Sequence, residues 1–181
     1  MSGSDVKTLF ASIFIIAIFL GATSSAPAQG IPGGATSLNE THGDWTVSCA
    51  APEGVVRCTI TQLQVQGENR QRLLAIELTR AADGNGVTGM LVLPFGLRLD
   101  DGITLALDEA DPIQKPRFST CLPAGCLVPL TFGSDLVTAL GSSASLAIKA
   151  VANDSGEEVA LAVSLKGFSS ALARLVQLTA S

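Results

Sequence analysis

Four cysteines, Cys49, Cys58, Cys121 and Cys126, are the residues of this sequence best suited to chemistry. Cysteine thiolates can bind zinc, act in redox reactions or form disulfides. A zinc site needs four ligands at finger-like spacing, and a redox site is normally Cys-x-x-Cys. The chain has Cys-x8-Cys and Cys-x4-Cys with one distant histidine, which matches neither pattern. We therefore expect structural disulfides and no metal site.

Four cysteines allow three disulfide pairings, of which we favour the two local ones. If Cys49 lies opposite Cys58 on neighbouring antiparallel strands, Val47 falls opposite Ile60, and the apolar residues share one face. Directly opposed residues of such strands have Cα atoms close enough for a disulfide. Residues 52–54 (Pro-Glu-Gly) would then lie in the connecting loop.

The second pair, Cys121 and Cys126, encloses Pro-Ala-Gly at 123–125. These residues can reverse the chain and bring the two sulfurs together. If loop entropy dominates, each short bridge stabilises the fold by about 2 to 3 kcal/mol. Both bridges are thus expected to be structural.

Acid–base catalysis would need a rigidly held histidine, and His42 is the only histidine in the sequence. It lies at the edge of a segment rich in Gly, Pro, Ser and Thr, so we expect an exposed linker residue. The motif Gly-Phe-Ser-Ser-Ala at 167–171 is similar to a nucleophile elbow, but it ends in alanine and no acid or histidine follows it. Ser169 or Ser170 is therefore interpreted as a helix N-cap.

Acidic residues are densest at Asp100, Asp101, Asp108, Glu109 and Asp111. They lack the spacing of a calcium loop and are interpreted as solvated turn carboxylates. We accordingly expect no catalytic residues and no cofactor. The alternative is a carboxylate-based hydrolase, in which Asp101, Asp108 or Asp111 would converge in one pocket with a raised pKa.

The N-terminal residues have the pattern of a secretory signal peptide at 1–28. Lys7 precedes an apolar run at 9–20, and Ala-Pro-Ala at 26–28 provides the small residues that signal peptidase needs. We expect a periplasmic or secreted protein that begins at Gln29 and has no stable membrane insertion after cleavage. An uncleaved membrane anchor is the alternative.

The exported part, residues 29–181, keeps the formal net charge of −5. Nucleic acids and anionic lipids bind clustered lysines and arginines, so neither is an expected partner. Residues 29–43 lack an apolar period and predict a flexible lead-in. Residues 44–181 are long enough to form a single domain with a real core.

From Trp45 onward, apolar residues alternate with a period of two and turn signals follow at short intervals. The pattern predicts an all-β fold, an antiparallel β-sandwich, with strands at 45–50, 55–66, 71–79, 87–93, 97–99, 103–108, 127–132, 145–152 and 158–166. A short helix is expected to be capped by Ser134 and closed by Gly141. An apolar stripe from 168 to 176 predicts a short C-terminal helix packed on the sandwich.

Two hairpins follow from the turn residues. A three-residue loop, Asp-Asp-Gly, would place Leu99 opposite Ile103 and Leu97 opposite Leu105, all on one face. A second hairpin is expected to turn at 153–156.

Several short motifs occur in order along the exported chain. They are Trp-Thr-Val-Ser-Cys at 45–49, Cys-Thr-Ile-Thr-Gln at 58–62, Leu-Pro-Phe-Gly at 93–96, Phe-Ser-Thr-Cys at 118–121 with Gly-Cys at 125–126, and Gly-Phe-Ser-Ser-Ala-Leu at 167–172. As an ordered set they resemble the invasion-associated locus B family of exported bacterial proteins. The resemblance implies a β-sandwich, an envelope or secreted location and an association with entry into host cells. It brings no catalytic residues.

We therefore expect a non-enzymatic protein that binds a partner in the envelope or on a host cell. Such a protein would present an apolar or groove-like patch on an ordered surface. A small-ligand carrier, the alternative from another class, would instead need a cavity between the sheets. The sequence leaves the identity of any partner and the oligomeric state open.

Overall fold

The computed structural model describes residues 31–108 and 110–179. The predicted signal peptide, residues 1–28, lies outside the described residues. The elements are β1 (Ser37–His42), β2 (Trp45–Ala50), β3 (Arg57–Gln66), β4 (Gln71–Arg80), β5 (Val87–Leu93), β6 (Thr104–Leu107), β7 (Pro112–Gln114), β8 (Thr120–Leu122), β9 (Gly125–Phe132), α1 (Ser134–Ser142), β10 (Ser145–Val151), β11 (Glu158–Ser164) and α2 (Phe168–Thr179). Within this part of the chain, neither helix is long and apolar enough to cross a membrane.

The strands form two sheets. The seven-stranded sheet has the order β1-β2-β3-β4-β5-β9-β8, and the four-stranded sheet has the order β11-β10-β6-β7. The described strand pairs are antiparallel, and the buried apolar residues lie between the two sheets. The structure thus confirms the all-β, antiparallel β-sandwich with a short C-terminal helix.

Alternation along each strand decides which side chains enter the core. In β2, Trp45, Val47 and Cys49 are buried, whereas the residues between them are partly exposed. Val47 lies opposite Ile60 of β3, in the predicted register. A shift of one residue would turn the buried set into water, at a cost of roughly 25 cal/mol for each Å² of apolar surface.

The C-terminal helix α2 packs on the core side of the large sheet, against β1 to β4. Its buried residues, Phe168, Ala171, Leu175 and Leu178, follow helical spacing along one face. The Phe168 ring meets the Trp45 ring edge to face, with centroids 5.3 Å apart. Such a pair adds about 0.5 to 1.5 kcal/mol to the burial of the rings. Trp45 is therefore a core residue.

The flexible lead-in predicted at residues 29–43 is wrong from Ile31 onward. Ile31 is only 2% exposed in the core, and β1 pairs with β2 along its whole length. The segment Ser-Leu-Asn-Glu-Thr-His of β1 has Leu38 as its one apolar residue, so it gave almost no alternation signal. The domain consequently begins before residue 44.

The hairpin predicted around the Asp-Asp-Gly turn is also wrong. Leu97 makes an isolated antiparallel bridge with Ala152, and Leu105 pairs with Ile148 of β10. A long, buried partner strand was available from a distant part of the chain, and local alternation could not reveal it. The hairpin predicted at 153–156 does form and joins β10 to β11.

None of the serines predicted to be helix N-caps, Ser134, Ser169 and Ser170, is an N-cap. The N-cap of α1 is Gly133, so Ser134 lies inside the helix, and the helix continues past Gly141 to its next residue. In α2, which begins at Phe168, the Ser169 hydroxyl donates to the Gly141 carbonyl at 3.1 Å. The Ser170 hydroxyl donates to the carbonyl at 167 at 2.9 Å. The hydroxyls of Ser169 and Ser170 thus donate to carbonyl oxygens, whereas an N-cap side chain would accept from the amides at the start of the helix.

Candidate interaction surface

The outer face of the seven-stranded sheet carries an apolar row that runs across its strands. Leu63 of β3 lies opposite Ala75 of β4, which lies opposite Val92 of β5, which in turn lies opposite Leu127 of β9. Each of these residues alternates with core residues of its own strand and so points away from the core. The row is continuous because the register brings one outward apolar residue from each strand to the same level.

Neighbouring residues widen this row. Met90 and Pro129, a directly opposed pair, lie at the next outward level, and Leu122 of β8 follows on the edge strand. Leu63 is 58% exposed and Leu122 is 50% exposed. We refer to the seven residues as the outer-face patch: Leu63, Ala75, Met90, Val92, Leu122, Leu127 and Pro129.

Polar side chains surround the outer-face patch. Glu77 is exposed at the level of Met90, and Gln66 and Gln71 close the β3–β4 turn. Arg72 beside this turn donates from Nη1 to the Ala124 carbonyl in the β8–β9 turn, at 3.1 Å. An ordered apolar area with a polar rim is the arrangement of a protein–protein contact surface.

Both local disulfides are present in the structure. Cys49 and Cys58 form one bridge between β2 and β3, with Cα atoms 4.1 Å apart. Cys121 and Cys126 form the other between β8 and β9, with Cα atoms 3.9 Å apart. The second bridge fixes the short edge strand that carries Leu122, so it positions one border of the outer-face patch.

His42 is not the exposed linker histidine that the sequence suggested, because it is half-buried at the end of β1. Its Nε2 lies 3.5 Å from the Glu40 carboxylate, which also accepts two hydrogen bonds from Arg174 of α2, at 2.7 and 2.8 Å. The Arg174 hydrogen bond is the main reason that the pKa of Glu40 lies below its usual value. The same bond raises the pKa of Arg174. This ion pair fastens edge strand β1 to α2.

Of the acidic residues singled out in the sequence, Glu109 lies outside the described residues, and Asp101 and Asp108 make separate contacts. Asp108 accepts hydrogen bonds from the backbone N–H groups of Ala144 and Ser145, at 3.1 and 2.8 Å. Asp101 pairs with Arg98 at 3.5 Å on an exposed surface. Among residues 31–108 and 110–179, no group of three or more His, Cys, Asp and Glu side chains is arranged to hold a metal ion.

The interior between the sheets is closely packed. Side chains from both sheets and both helices meet around Trp45, where the remaining gap is too small to hold a water molecule. A small-ligand carrier needs an enclosed volume of several hundred Å³. The space around Trp45 does not provide one.

Sequence reasoning missed Gln62, the one polar residue buried in the core of the described chain. Its amide bonds both backbone groups of Ser164 in β11, and Gln64 bonds the Ala162 carbonyl of the same strand. These bonds join the large sheet to the free edge of the small one. The alternation of β3 could have predicted that Gln62 is buried, because Gln62 lies two residues after Ile60 and so on the same, inward face.

Comparisons with known proteins agree with one another. A family model described as "Invasion associated locus B (IalB) protein" matches residues 45–176. Invasion protein B homologs of two Brucella abortus strains are each 43% identical over 156 residues, which cover 86% of this chain and 88% of the relative. Invasion protein B of Bartonella bacilliformis is 34% identical over 182 residues, covering 92% and 96% of the two chains. The crystal structure of invasion associated protein B from Bartonella henselae superposes with a TM-score of 0.74 at 33% identity, over 80% of this chain and 98% of that one.

Proposed function

Because this chain belongs to the invasion-associated locus B family, we propose that it is an exported, non-enzymatic protein that binds a protein partner in the bacterial envelope or on the host cell. The family is named for its association with invasion. Binding rather than catalysis is our inference for how this chain contributes.

The outer-face patch is the observation that carries the proposal. Several of its apolar side chains stand on rigid, paired strands, and Leu63 and Leu122 have half or more of their surface in water. Ordered proteins rarely leave a contiguous apolar area exposed without a use for it, because burying it would be favourable. A protein partner that covers the patch would bury this area without further rearrangement of the strands.

The disulfides support an exported location. Disulfides persist in the periplasm and outside the cell, whereas the cytosol keeps thiols reduced. All four cysteines of the chain are paired here, as an oxidising compartment favours. Together with the signal-like N-terminal sequence, this supports a periplasmic or secreted protein.

The contacts of the carboxylates support binding over a carboxylate-based hydrolase. Asp108 already accepts backbone hydrogen bonds from the start of β10, and Asp101 is paired with an arginine. A general acid must be held against its substrate in a pocket, whereas Asp101 and Asp108 are exposed and already bound to other groups of the chain. The close packing around Trp45 likewise favours the binding surface over a carrier.

A photo-crosslinking amino acid placed at Ala75, in the middle of the patch, tests the proposal in the protein's own bacterium, with and without host cells. We expect a discrete cross-linked protein and a yield that falls about tenfold when Leu63→Asp and Leu122→Asp are combined. Both leucines are exposed, so the double variant should fold and be exported like the unaltered protein.

Leu99→Asp is the matched control, because Leu99 is 41% exposed and lies outside the patch. It makes the same change of side chain and should leave both the cross-linking yield and host-cell entry unaltered. Equal cross-linking in the patch variant and in this control would rule out the patch as the binding surface. A patch variant that enters host cells normally would separate this surface from invasion.

A further inference from the structure

The edges of the two sheets differ in how well they are protected. The edge strands are β1 and β8 in the large sheet and β11 and β7 in the small one. An edge strand presents backbone N–H and C=O groups that can pair with a strand of another chain, and proteins usually block such edges. Three of these four edges are blocked, and that of β1 is open.

The edges at β7 and β8 are short and lie beside prolines. Each strand has three residues; β7 begins with Pro112, and Pro123 directly follows β8. Proline has no N–H to donate, so it interrupts a ladder of backbone hydrogen bonds. Neither edge offers a partner strand more than a few contacts.

β11 is longer, but side chains of the large sheet already occupy its free edge. The Leu165 N–H donates to the Ala144 carbonyl beside β10, at 2.9 Å. Alternate residues of β11 therefore face β10, and the others, which include Ala162 and Ser164, turn their backbone groups to the free edge. Two glutamines of β3 bind the Ala162 carbonyl and both backbone groups of Ser164. A further strand would have to displace them.

β1 has none of these blocks. It pairs with β2 over its whole length without a register shift, and its sequence contains no proline or lysine. The Ala51 N–H donates to the Thr36 carbonyl just before β1, at 3.0 Å. By the same alternation, Ser37, Asn39 and Thr41 turn their N–H and C=O groups to the free edge. These three residues are exposed, and no group of the described chain binds their backbone.

The one carboxylate of β1 does not block the edge either. A charge that points inward from an edge strand can keep other strands away. Glu40 lies on the core side of β1, but Arg174 of the same chain binds both of its oxygens, at 2.7 and 2.8 Å. Its charge is thus matched within one protomer, so a neighbouring strand does not have to neutralise it.

We propose that β1 pairs antiparallel with β1 of a second copy of this chain, about a twofold axis at Asn39. In this register Asn39 lies opposite its own counterpart and Ser37 lies opposite Thr41, so each facing pair exchanges two hydrogen bonds. On the core side Leu38 lies opposite Glu40, and no like charges face each other. A register centred on Glu40 would oppose two carboxylates, which is unfavourable. The edge is therefore complementary to itself, which favours a second copy as its partner.

This symmetry gives the dimer a defined shape. The two large sheets become one continuous sheet, with the twofold axis perpendicular to it. Both outer-face patches then point to the same side, so one assembly of partner proteins can meet two of them and bind with higher avidity. A strand of six residues buries less than a standard interface of about 1,200 to 2,000 Å², so we expect a weak dimer. The pairing does not depend on the outer-face patch, and either proposal can fail without the other.

The test combines sedimentation velocity with amide hydrogen exchange on the exported protein, from about 1 µM to about 1 mM. We expect a monomer–dimer equilibrium across this range. The amides of Ser37, Asn39 and Thr41 should become protected as the concentration rises. The amides between them should not change, because their N–H groups already bond β2 in the monomer.

Asn39→Pro should raise the dissociation constant of the dimer at least about tenfold, because it removes the central N–H donors of the pairing. The Asn39 N–H does not bond β2, so the fold should tolerate the change. Ala160→Pro is the matched control: Ala160 is exposed and its N–H faces the free edge of β11, by the alternation that Leu165 fixes. It should leave the dimer unaltered.

Asn39→Asp and Asn39→Lys test the register and serve if Asn39→Pro fails to fold. Each puts two like charges opposite each other and should weaken the dimer, whereas an equimolar mixture of the two should restore it. The proposal is overturned if the unaltered protein stays monomeric throughout, if Asn39→Pro dimerises as tightly as Ala160→Pro, or if the mixture restores nothing. Protection of the β1 amides only when the partner of the outer-face patch is added would assign the edge to a strand of that partner, and would equally overturn pairing between copies.

Discussion

Gln62→Ala should lower the free energy of unfolding by about 2 to 4 kcal/mol, because this buried amide links the two sheets. Its Nε2 donates to the Ser164 carbonyl at 2.8 Å, and its Oε1 accepts from the Ser164 N–H at 3.0 Å. Gln62 is only 4% exposed, so water cannot readily replace the missing amide.

The magnitude comes from two separate losses. The Ser164 N–H would be left without its partner, which costs about 1 to 3 kcal/mol for a buried group. The Ser164 carbonyl would keep its hydrogen bond from Trp45 Nε1, at 2.9 Å. On that side only the net value of one hydrogen bond is lost, about 1 kcal/mol. In a domain of this size the sum lowers the Tm by about 5 to 15 °C.

Urea unfolding followed by tryptophan fluorescence measures the change, because Trp45 lies in the same network. Gln64→Ala is the comparison variant: Gln64 lies two residues further along β3 and is less buried. Its Nε2 donates to the Ala162 carbonyl at 2.8 Å and to Gln62 Oε1 at 2.9 Å, so this variant removes hydrogen bonds of the same network but leaves the Gln62 bonds to Ser164 in place. We expect it to lose less than about 1 kcal/mol. Equal losses in the two variants, or a Gln62→Ala loss below about 0.5 kcal/mol, would refute the idea that burial makes this link costly to break.

Three further predictions concern charge, backbone and disulfides. Because the pKa of Glu40 is lowered in the folded protein, its ion pair stabilises the fold above the ordinary pKa of 4.5, and this stability is lost as the pH falls through the lower folded pKa. In urea unfolding, the difference in free energy of unfolding between the unaltered protein and Glu40→Gln should therefore shrink on acidification. A difference that grows on acidification would contradict this. Gly167→Ala should lower the free energy of unfolding by at least about 2 kcal/mol more than Gly96→Ala. Both glycines have φ near +87°, but only at 167 would a new Cβ collide with a backbone carbonyl, that of His42. Similar Tm values for the two variants in calorimetry would contradict this. Replacing Cys121 and Cys126 together with alanine should cost about 2 to 3 kcal/mol in urea unfolding and reduce partner cross-linking at the patch, and unchanged stability would show that the bridge adds nothing to the fold.

Local sequence patterns determined the first bridge and the pairing around it. Cys49 and Cys58 lie opposite each other because alternation and the short Pro-Glu-Gly loop allow one register in which apolar residues share a face. The same logic applies to the turn at 153–156, where β10 and β11 are neighbours in both sequence and space. In these places the partner of each strand was the next segment of the chain, so short-range information was sufficient.

The tertiary structure decided everything that depends on distant partners. Glu40 of β1 is bound by Arg174, which lies 134 residues away in the sequence. Leu105 was predicted to pair within a local hairpin, but it pairs with β10, a strand that begins some forty residues later. The candidate site follows the same rule: Leu63, Val92 and Leu127 are ordinary alternating leucines and valines in the sequence. Only the packing of the second sheet and of α2 on one face of the large sheet leaves these residues on the other face, in water. The sequence by itself determined which residues of each strand share a face. The tertiary structure determined which of the two faces is buried, because a face is buried only when another sheet or helix packs against it.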